Sequence, residues 1–130
     1  MEFLRETKEN KGVYKNHRDE PYFTYVREGK KTIEGRLVKG LYAEVQAGDY
    51  IEIHNRNNDS DYFFVEVVGV EKYPSFLSLL MQVDYKKVLP NVGSLEEGVN
   101  IYRQFYPKEK ERDCGVVALE VKVVDENDCL

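Results

Sequence analysis

The sequence predicts a single α+β domain built as a small mixed β-barrel with short covering helices. Segments with alternating apolar residues are separated by stretches of helical periodicity, without the regular strand–helix alternation of a parallel doubly wound sheet. A chain of 130 residues, 42% hydrophobic and 33% charged, is long enough for one core and has the composition of a globular protein. We therefore expect four or five strands and two to four helices in one domain.

The first nineteen residues contain few apolar side chains among many charges, which predicts either a short edge strand or an N-terminal arm over the barrel. Residues 20–130 carry the periodic segments and are predicted to form the domain itself. The domain begins with a short helix, because Pro21 suits a first helical turn and Gly29 suits the position just after a helix. A strand over residues 32–37 follows directly.

Charged residues in this strand occur at a spacing that apolar packing does not require. In an extended chain Thr32, Glu34 and Arg36 project from one face, so a carboxylate lies beside a guanidinium. Opposite charges in this arrangement compensate each other and leave donors and acceptors for a ligand. Residues 27–39 contain five basic and two acidic residues, a local charge of +3 in a chain of net charge -5. We therefore place the candidate site at residues 29–36.

The middle of the chain predicts a β-hairpin. Gly48 indicates a turn with a positive φ, and a strand over residues 50–54, a polar loop over 55–61 and a strand over 62–73 follow it. Because both faces of the second strand are apolar up to Gly69, we expect a central strand with a bulge there.

The last third predicts helices that cover the sheet, and then a final strand. Ser75 is suited to cap a short apolar helix, and residues 85–89 indicate a further short turn. Ser94 begins a capping box for a longer helix that should end at Pro107. Residues 115–123 alternate as a strand.

Composition excludes several classes of function. A net charge of -5 argues against nonspecific binding of duplex nucleic acid, which needs a positive footprint. Cys114 and Cys129 lack metal-ligand spacing and are expected to be free thiols. His17 and His54 have no ligand set beside them in the sequence, so we expect neither a metal nor another cofactor.

No stretch approaches the length of a membrane-spanning segment, and the first residues lack the apolar core of a signal peptide. We expect a soluble intracellular protein, cytoplasmic or nuclear, without a membrane partner. The oligomeric state and the pathway are not determined by the sequence.

The pattern Gly29-x-Lys31-x-x-Glu34-x-Arg36, with an aromatic helix before it and the Gly48 turn and a strand after it, resembles the ASCH domain. That domain has a PUA-like β-barrel fold and is associated with RNA binding and RNA processing. The resemblance covers about residues 20–124. The runs over residues 89–93 and 102–106 are similar to small single-domain archaeal members of the superfamily.

The resemblance implies that Lys31, Glu34 and Arg36 line a cleft between the barrel and its helices. The expected partner is RNA or a nucleotide-like small molecule. Tyr102 and Arg103 are expected at the same cleft from the placement of the long helix. Among the ten tyrosines, Tyr22, Tyr73 and Tyr102 are candidates for stacking on a base, although core packing is the commoner role of such residues.

Four alternatives remain open at this point: two enzyme activities, a structural ion pair and a protein-interaction module. One branch of the superfamily hydrolyses N4-acetylcytidine with a lysine, a threonine and a glutamate. Lys31 matches that lysine, whereas Glu34 stands at the threonine position and residues 89 and 90 offer no carboxylate. Other members are reported as ribonucleases, and Lys31 and Glu34 are the candidate catalytic residues for either activity. The charged residues could instead form a structural ion pair that closes the barrel, and a protein-interaction module is a third class.

Overall fold

The computed structural model describes residues 3–5 and 12–129, and within them it contains one mixed sheet of six strands. The strands are β1 (Phe3–Arg5), β2 (Gly12–Arg18), β3 (Ile33–Leu37), β4 (Tyr50–Asn55), β5 (Asn58–Tyr73) and β6 (Val116–Val124). Their spatial order is β1-β2-β4-β5-β6-β3. The pair β2 and β4 is parallel, and the other neighbours are antiparallel.

The sheet curls so that strands far apart in its order face each other. β4, β5 and β6 lie between β2 and β3 in the sheet, yet Arg18 of β2 contacts Glu34 of β3 directly. A flat sheet could not make this contact, because neighbouring strands are about 4.8 Å apart. The architecture is therefore a half-barrel, which confirms the predicted class of fold.

Five helices are described: α1 (Tyr22–Arg27), α2 (Phe76–Gln82), α3 (Tyr85–Val88), α4 (Leu95–Phe105) and α5 (Lys108–Cys114). Two 3-10 turns lie at Gly40–Ala43 and Glu126–Cys129. Ser75 and Ser94 accept hydrogen bonds from the first turns of α2 and α4, which confirms both predicted caps.

Two apolar clusters lie on the two faces of the curled sheet. The side chains of β6 alternate between the two clusters. Val117 and Leu119 belong to the first cluster, inside the curl, whereas Val116 and Ala118 belong to the second, which faces α2 and α4. Phe23 brings α1 into the first cluster, and Phe76 brings α2 into the second. The two clusters fix α1 and α4 on either side of β3.

Local glycine signals in the sequence are confirmed. Gly29 follows α1 with a φ of 77° and Gly48 forms its turn with a φ of 96°, both in the left-handed region that favours glycine. The pairing of β5 with β6 shifts register between Val67 and Gly69, which is the predicted bulge.

Several boundaries differ from the sequence-based expectation. The described residues contain six strands, because the segment expected to be an arm or an edge strand contains both β1 and β2, and β2 lies inside the sheet. Residues 1, 2 and 6–11 of that segment lie outside the described residues. Five helices lie in the described part of the chain, because the charged run before Cys114 also forms a helix. The strand predicted over 32–37 begins at Ile33.

The prediction of a loop over residues 55–61 was wrong. β5 begins at Asn58, and only Arg56 and Asn57 separate it from β4. The sequence is polar there because this end of the hairpin is exposed to solvent on both faces, and exposure removes the apolar alternation by which a strand is recognised.

Candidate functional site

A cleft of about 630 Å³ opens between the facing strands β2 and β3 and the C-terminal half of α4. Its lining comes from separate parts of the chain: residues 16–20 at the end of β2, Lys31 and residues 34–37 in and before β3, Tyr42 in the 3-10 turn, and residues 101, 102 and 105–107 of α4 and beyond. Each of these parts is held in place by one of the two apolar clusters or by the sheet. The walls of the cleft are therefore fixed by the secondary structure around it.

Glu34 is the centre of a buried cluster of charges at the bottom of this cleft. Its side chain is 1% exposed, and its Oε2 accepts a hydrogen bond from Arg18 Nε at 2.6 Å. Arg18 Nη2 also contacts Oε2, and Arg36 Nη2 lies 3.7 Å from the same oxygen. Lys31 Nζ lies 3.7 Å from Oε1. Three cations thus surround one carboxylate, an excess of two positive charges.

The charge of Glu34 is maintained by these neighbours. Burial alone would raise the pKa of this carboxyl, but the positive charges of Arg18, Arg36 and Lys31 outweigh burial and hold the pKa of Glu34 well below its usual range. Burial likewise opposes the charge of Arg36. Nearby Tyr42 and Glu34 outweigh that effect and raise the pKa of Arg36 further. Both groups are therefore charged at neutral pH.

Lys31 is buried under α1 at the edge of the cluster. Its ammonium donates to the carbonyls of Ile33, at 3.2 Å, and Val88, and it lies 5.8 Å from the centre of the Tyr22 ring. Burial lowers the pKa of Lys31 to about 8, with Glu34 opposing the shift and the two arginines adding to it. Lys31 is held rigidly, with donors committed to backbone carbonyls.

Two buried polar atoms in the cluster have no hydrogen-bond partner among the described residues. They are Glu34 Oε1 and Arg36 Nε. Most buried polar side-chain atoms in folded proteins are paired, so an acceptor and a donor left together are unusual. Both side chains line the cleft.

Aromatic side chains form another part of the lining. Tyr102 of α4 stacks on Phe76 with ring centroids 4.1 Å apart, and Tyr106 also stacks on Phe76 at 5.3 Å. Gly35 makes room for this arrangement, because a Cβ at that position would lie 2.6 Å from Tyr102 Oη. Phe105 also lines the cleft and is 62% exposed.

Most of the site residues predicted from the sequence come together here. Lys31, Glu34, Arg36 and Tyr102 all line the cleft, as does Tyr22. Whether they bind a ligand stays a prediction.

The other candidates lie elsewhere. Arg103 is absent from the lining among the described residues, and its guanidinium contacts Glu111 Oε2 and the Tyr106 carbonyl, each at 3.1 Å. Thr32 lies at a second, smaller cavity, and Tyr73 donates to Glu71.

Sequence reasoning missed several residues of the cleft, among them three that are joined by hydrogen bonds beside Glu34. Arg18 lies in the segment expected to be an arm, Tyr42 lies in a stretch without clear periodicity, and Asn16 precedes both. Tyr42 Oη accepts hydrogen bonds from Asn16 Nδ2 and Arg18 Nη2, both at 2.8 Å. A buried arginine needs a carboxylate, and Glu34 is the one acidic residue of the predicted site at 29–36, but the sequence does not show which strand faces it.

Within the described residues, no group of three or more histidine, cysteine, aspartate or glutamate side chains is arranged to hold a metal ion. Cys114 is a free thiol, and the side chain of Cys129 lies outside the described residues. None of the helices in the described part of the chain is long and apolar enough to cross a membrane.

Comparison with known proteins gives one family and several similar structures. Residues 17–125 match the family model of the ASCH domain. The chain is 37% identical to the hypothetical protein PH0355, with a TM-score of 0.76 over 86% of this chain and 99% of that one. It is 33% identical to protein PF0455 from Pyrococcus furiosus, with a TM-score of 0.69 over 86% and 97% of the two chains.

The ASCH protein from Zymomonas mobilis is 14% identical, with a TM-score of 0.55 over 88% of this chain and 73% of that one. At this identity the likeness is one of fold, and it agrees with the expected PUA-like barrel. No curated protein matches the chain.

Proposed function

The chain belongs to the ASCH domain family, and from this premise we propose that it is an RNA- or nucleotide-binding module whose ligand enters the cleft over Glu34 and Arg36. The observation that carries the proposal is that Glu34 Oε1 and Arg36 Nε have no hydrogen-bond partner among the described residues. Leaving a buried donor or acceptor unsatisfied costs about 1–3 kcal/mol, so a ligand that supplies both partners recovers that energy.

The size and lining of the cleft support a nucleotide. A volume of about 630 Å³ is within the usual range for small-molecule sites, which is about 300–1,000 Å³. Exposed Phe105 and partly exposed Tyr22 offer aromatic faces of the kind on which unpaired bases stack. A base within a duplex has no free face, so the proposal concerns single strands or free nucleotides.

The positive charge of the cleft also supports the binding of a nucleotide. The cluster around Glu34 carries an excess of two positive charges, although the whole chain carries -5. The negative surface elsewhere repels the backbone of a long nucleic acid, whereas the cleft attracts it. Binding is therefore expected to be confined to this cleft.

Hydrolysis of an amide or of RNA is the second candidate activity, and the contacts of Lys31 weigh against it. A nucleophile or general base needs an accessible lone pair. Lys31 Nζ donates to two backbone carbonyls, and the charge of Glu34, 3.7 Å away, favours its protonated form, which has no lone pair. Incubation with N4-acetylcytidine and with labelled RNA tests this, and turnover abolished in Lys31→Ala would favour the enzyme instead.

Fluorescence anisotropy with labelled single-stranded RNA tests the binding proposal. We expect the wild type to bind and Arg36→Ala to bind about tenfold more weakly or worse, since a lost charged contact costs about 1–3 kcal/mol. Arg112→Ala is the matched control, because Arg112 is 74% exposed on α5 and absent from the described lining. Equal affinity of wild type and Arg36→Ala, or no binding by either, would contradict the proposal.

A further inference from the structure

Resting on the proposed function, we infer that Tyr42 is a ligand-binding residue and that its hydroxyl and Arg36 together form a subsite for the phosphate of the bound nucleotide. The subsite lies on the side of the cleft where the 3-10 turn meets the end of β2. Tyr42 is distant from the sequence motif, and its role follows from the hydrogen bonds around its oxygen.

The Tyr42 hydroxyl has an unused proton. Asn16 Oδ1 accepts from the backbone amide of His17 at 2.7 Å, so the Asn16 side-chain nitrogen is the atom that donates to Tyr42 Oη. Arg18 Nη2 also contacts this oxygen, and a guanidinium can only donate. Tyr42 Oη is therefore the acceptor in both contacts. The described residues offer no acceptor for its own proton, which is left for a ligand.

Arg36, whose guanidinium lies near the Tyr42 ring, supplies a second donor. The Arg36 guanidinium lies over the Tyr42 ring, with the central carbon 5.5 Å from the ring centroid. Arg36 Nε has no partner among the described residues, and its side chain is 28% exposed. Two donors without acceptors on neighbouring side chains of the cleft suit the oxygen atoms of a ligand, and a guanidinium binds phosphate oxygens with particularly good geometry.

The other two cations of the cluster, Arg18 and Lys31, donate their hydrogen bonds to protein atoms, so they would act on a ligand only through their electrostatic field. Arg18 donates to Glu34, to the His17 carbonyl and to Tyr42, and Lys31 donates to two carbonyls. Their charges are not fully compensated by the single carboxylate of Glu34. An anion held by Arg36 and Tyr42 would therefore be attracted by the whole cluster, whereas a neutral carbonyl would use the donors without that gain.

Lys39 stands at the edge of the same region. It follows β3, it is exposed, and it lines the cleft. A phosphate at Arg36 and Tyr42 would leave the exposed ring of Phe105 on α4 for the base.

Calorimetry with four probes tests the inference: uridine, uridine 5′-monophosphate, the dinucleotide UpU and inorganic phosphate. We expect the wild type to bind the monophosphate at least about tenfold more tightly than uridine, because a hydrogen bond to a charged group is worth about 1.5–3 kcal/mol. The affinity for UpU shows whether the subsite accepts an internal phosphodiester as well as a terminal phosphate. Inorganic phosphate alone should bind more weakly than the monophosphate, since it lacks the base.

Tyr42→Phe keeps the ring beneath Arg36 and removes the hydroxyl, so it should weaken the monophosphate about tenfold and leave uridine unchanged. Tyr62→Phe is the control, because Tyr62 is 41% exposed and absent from the described lining. If Tyr42→Phe unfolds, the comparison of uridine with its monophosphate on the wild type still decides. Equal affinity for both overturns the phosphate subsite and leaves the proposed function standing, whereas no binding of any probe overturns both.

Discussion

Arg18 of β2 and Glu34 of β3 form a buried ion pair that joins two strands separated by three others in the sheet. The side chains are 3% and 1% exposed, so neither charge is solvated by water. The pair closes the open side of the half-barrel at the bottom of the cleft. The pair therefore has the structural role, closing the barrel, that the sequence analysis left open as an alternative. It also positions Arg36 and Tyr42.

Arg18→Ala should destabilise the protein by about 3–5 kcal/mol, because breaking a buried pair leaves Glu34 without its closest cation. Unfolding in urea measures this change. Arg56→Ala is the control, since Arg56 pairs with Asp19 at 2.9 Å in an exposed setting, and such pairs are worth about 0–1 kcal/mol. Equal losses in the two variants would show that the Arg18 pair adds no more than a surface pair.

The Arg18–Glu34 pair also shows which features of the structure can be predicted from the sequence. Gly29, Ser75 and Gly69 act on their own neighbours in the chain, so helix ends, caps and the bulge were predictable from local rules. Arg18 lies 16 residues from Glu34, and their contact depends on the curl of the whole sheet. Periodicity gives the face of a strand on which a residue lies, but it does not give the strand that faces it.

Stability should rise with pH through the titration of Lys31. Its pKa is about 8 in the folded protein and 10.5 when unfolded, so between these values the unfolded chain binds more protons. Protonated Lys31 therefore costs stability below about pH 8, and this cost is relieved as pH rises. From about pH 7 to about pH 9.5, the wild type should gain about 2 kcal/mol relative to Lys31→Met.

Urea unfolding of both proteins at the two pH values measures that difference, and taking the difference removes the titration of the other groups. A carbon-13 titration of the lysine side chains gives a second readout, in which the signal with a midpoint near 8 should be missing from Lys31→Met. A stability difference that does not change with pH would show that Lys31 titrates alike in both states.

Gly35→Ala should disturb the cleft through Tyr102. The added methyl group would lie 2.6 Å from Tyr102 Oη, and the stack on buried Phe76 prevents the ring from moving freely. Overpacking of this kind costs about 1–3 kcal/mol. Thermal or urea unfolding measures it. Adding Tyr102→Phe to Gly35→Ala removes the oxygen and should restore part of the loss, whereas a double variant no more stable than the single one would exclude Tyr102 as the cause.

Arg103 should matter for stability and not for binding. Its guanidinium contacts Glu111 Oε2 at 3.1 Å, and Glu111 Oε1 accepts the backbone amide of Phe76 at 2.7 Å, so the pair links α4 and α5 to the start of α2. Glu111 is 5% exposed, and removing its cation leaves a buried carboxylate with less compensation. Arg103→Met should cost about 1–3 kcal/mol of unfolding free energy, while folded protein keeps its affinity for single-stranded RNA. Arg112→Ala, one residue from Glu111 but exposed, should change neither quantity. A loss of RNA affinity in folded Arg103→Met would place Arg103 back among the ligand-binding residues.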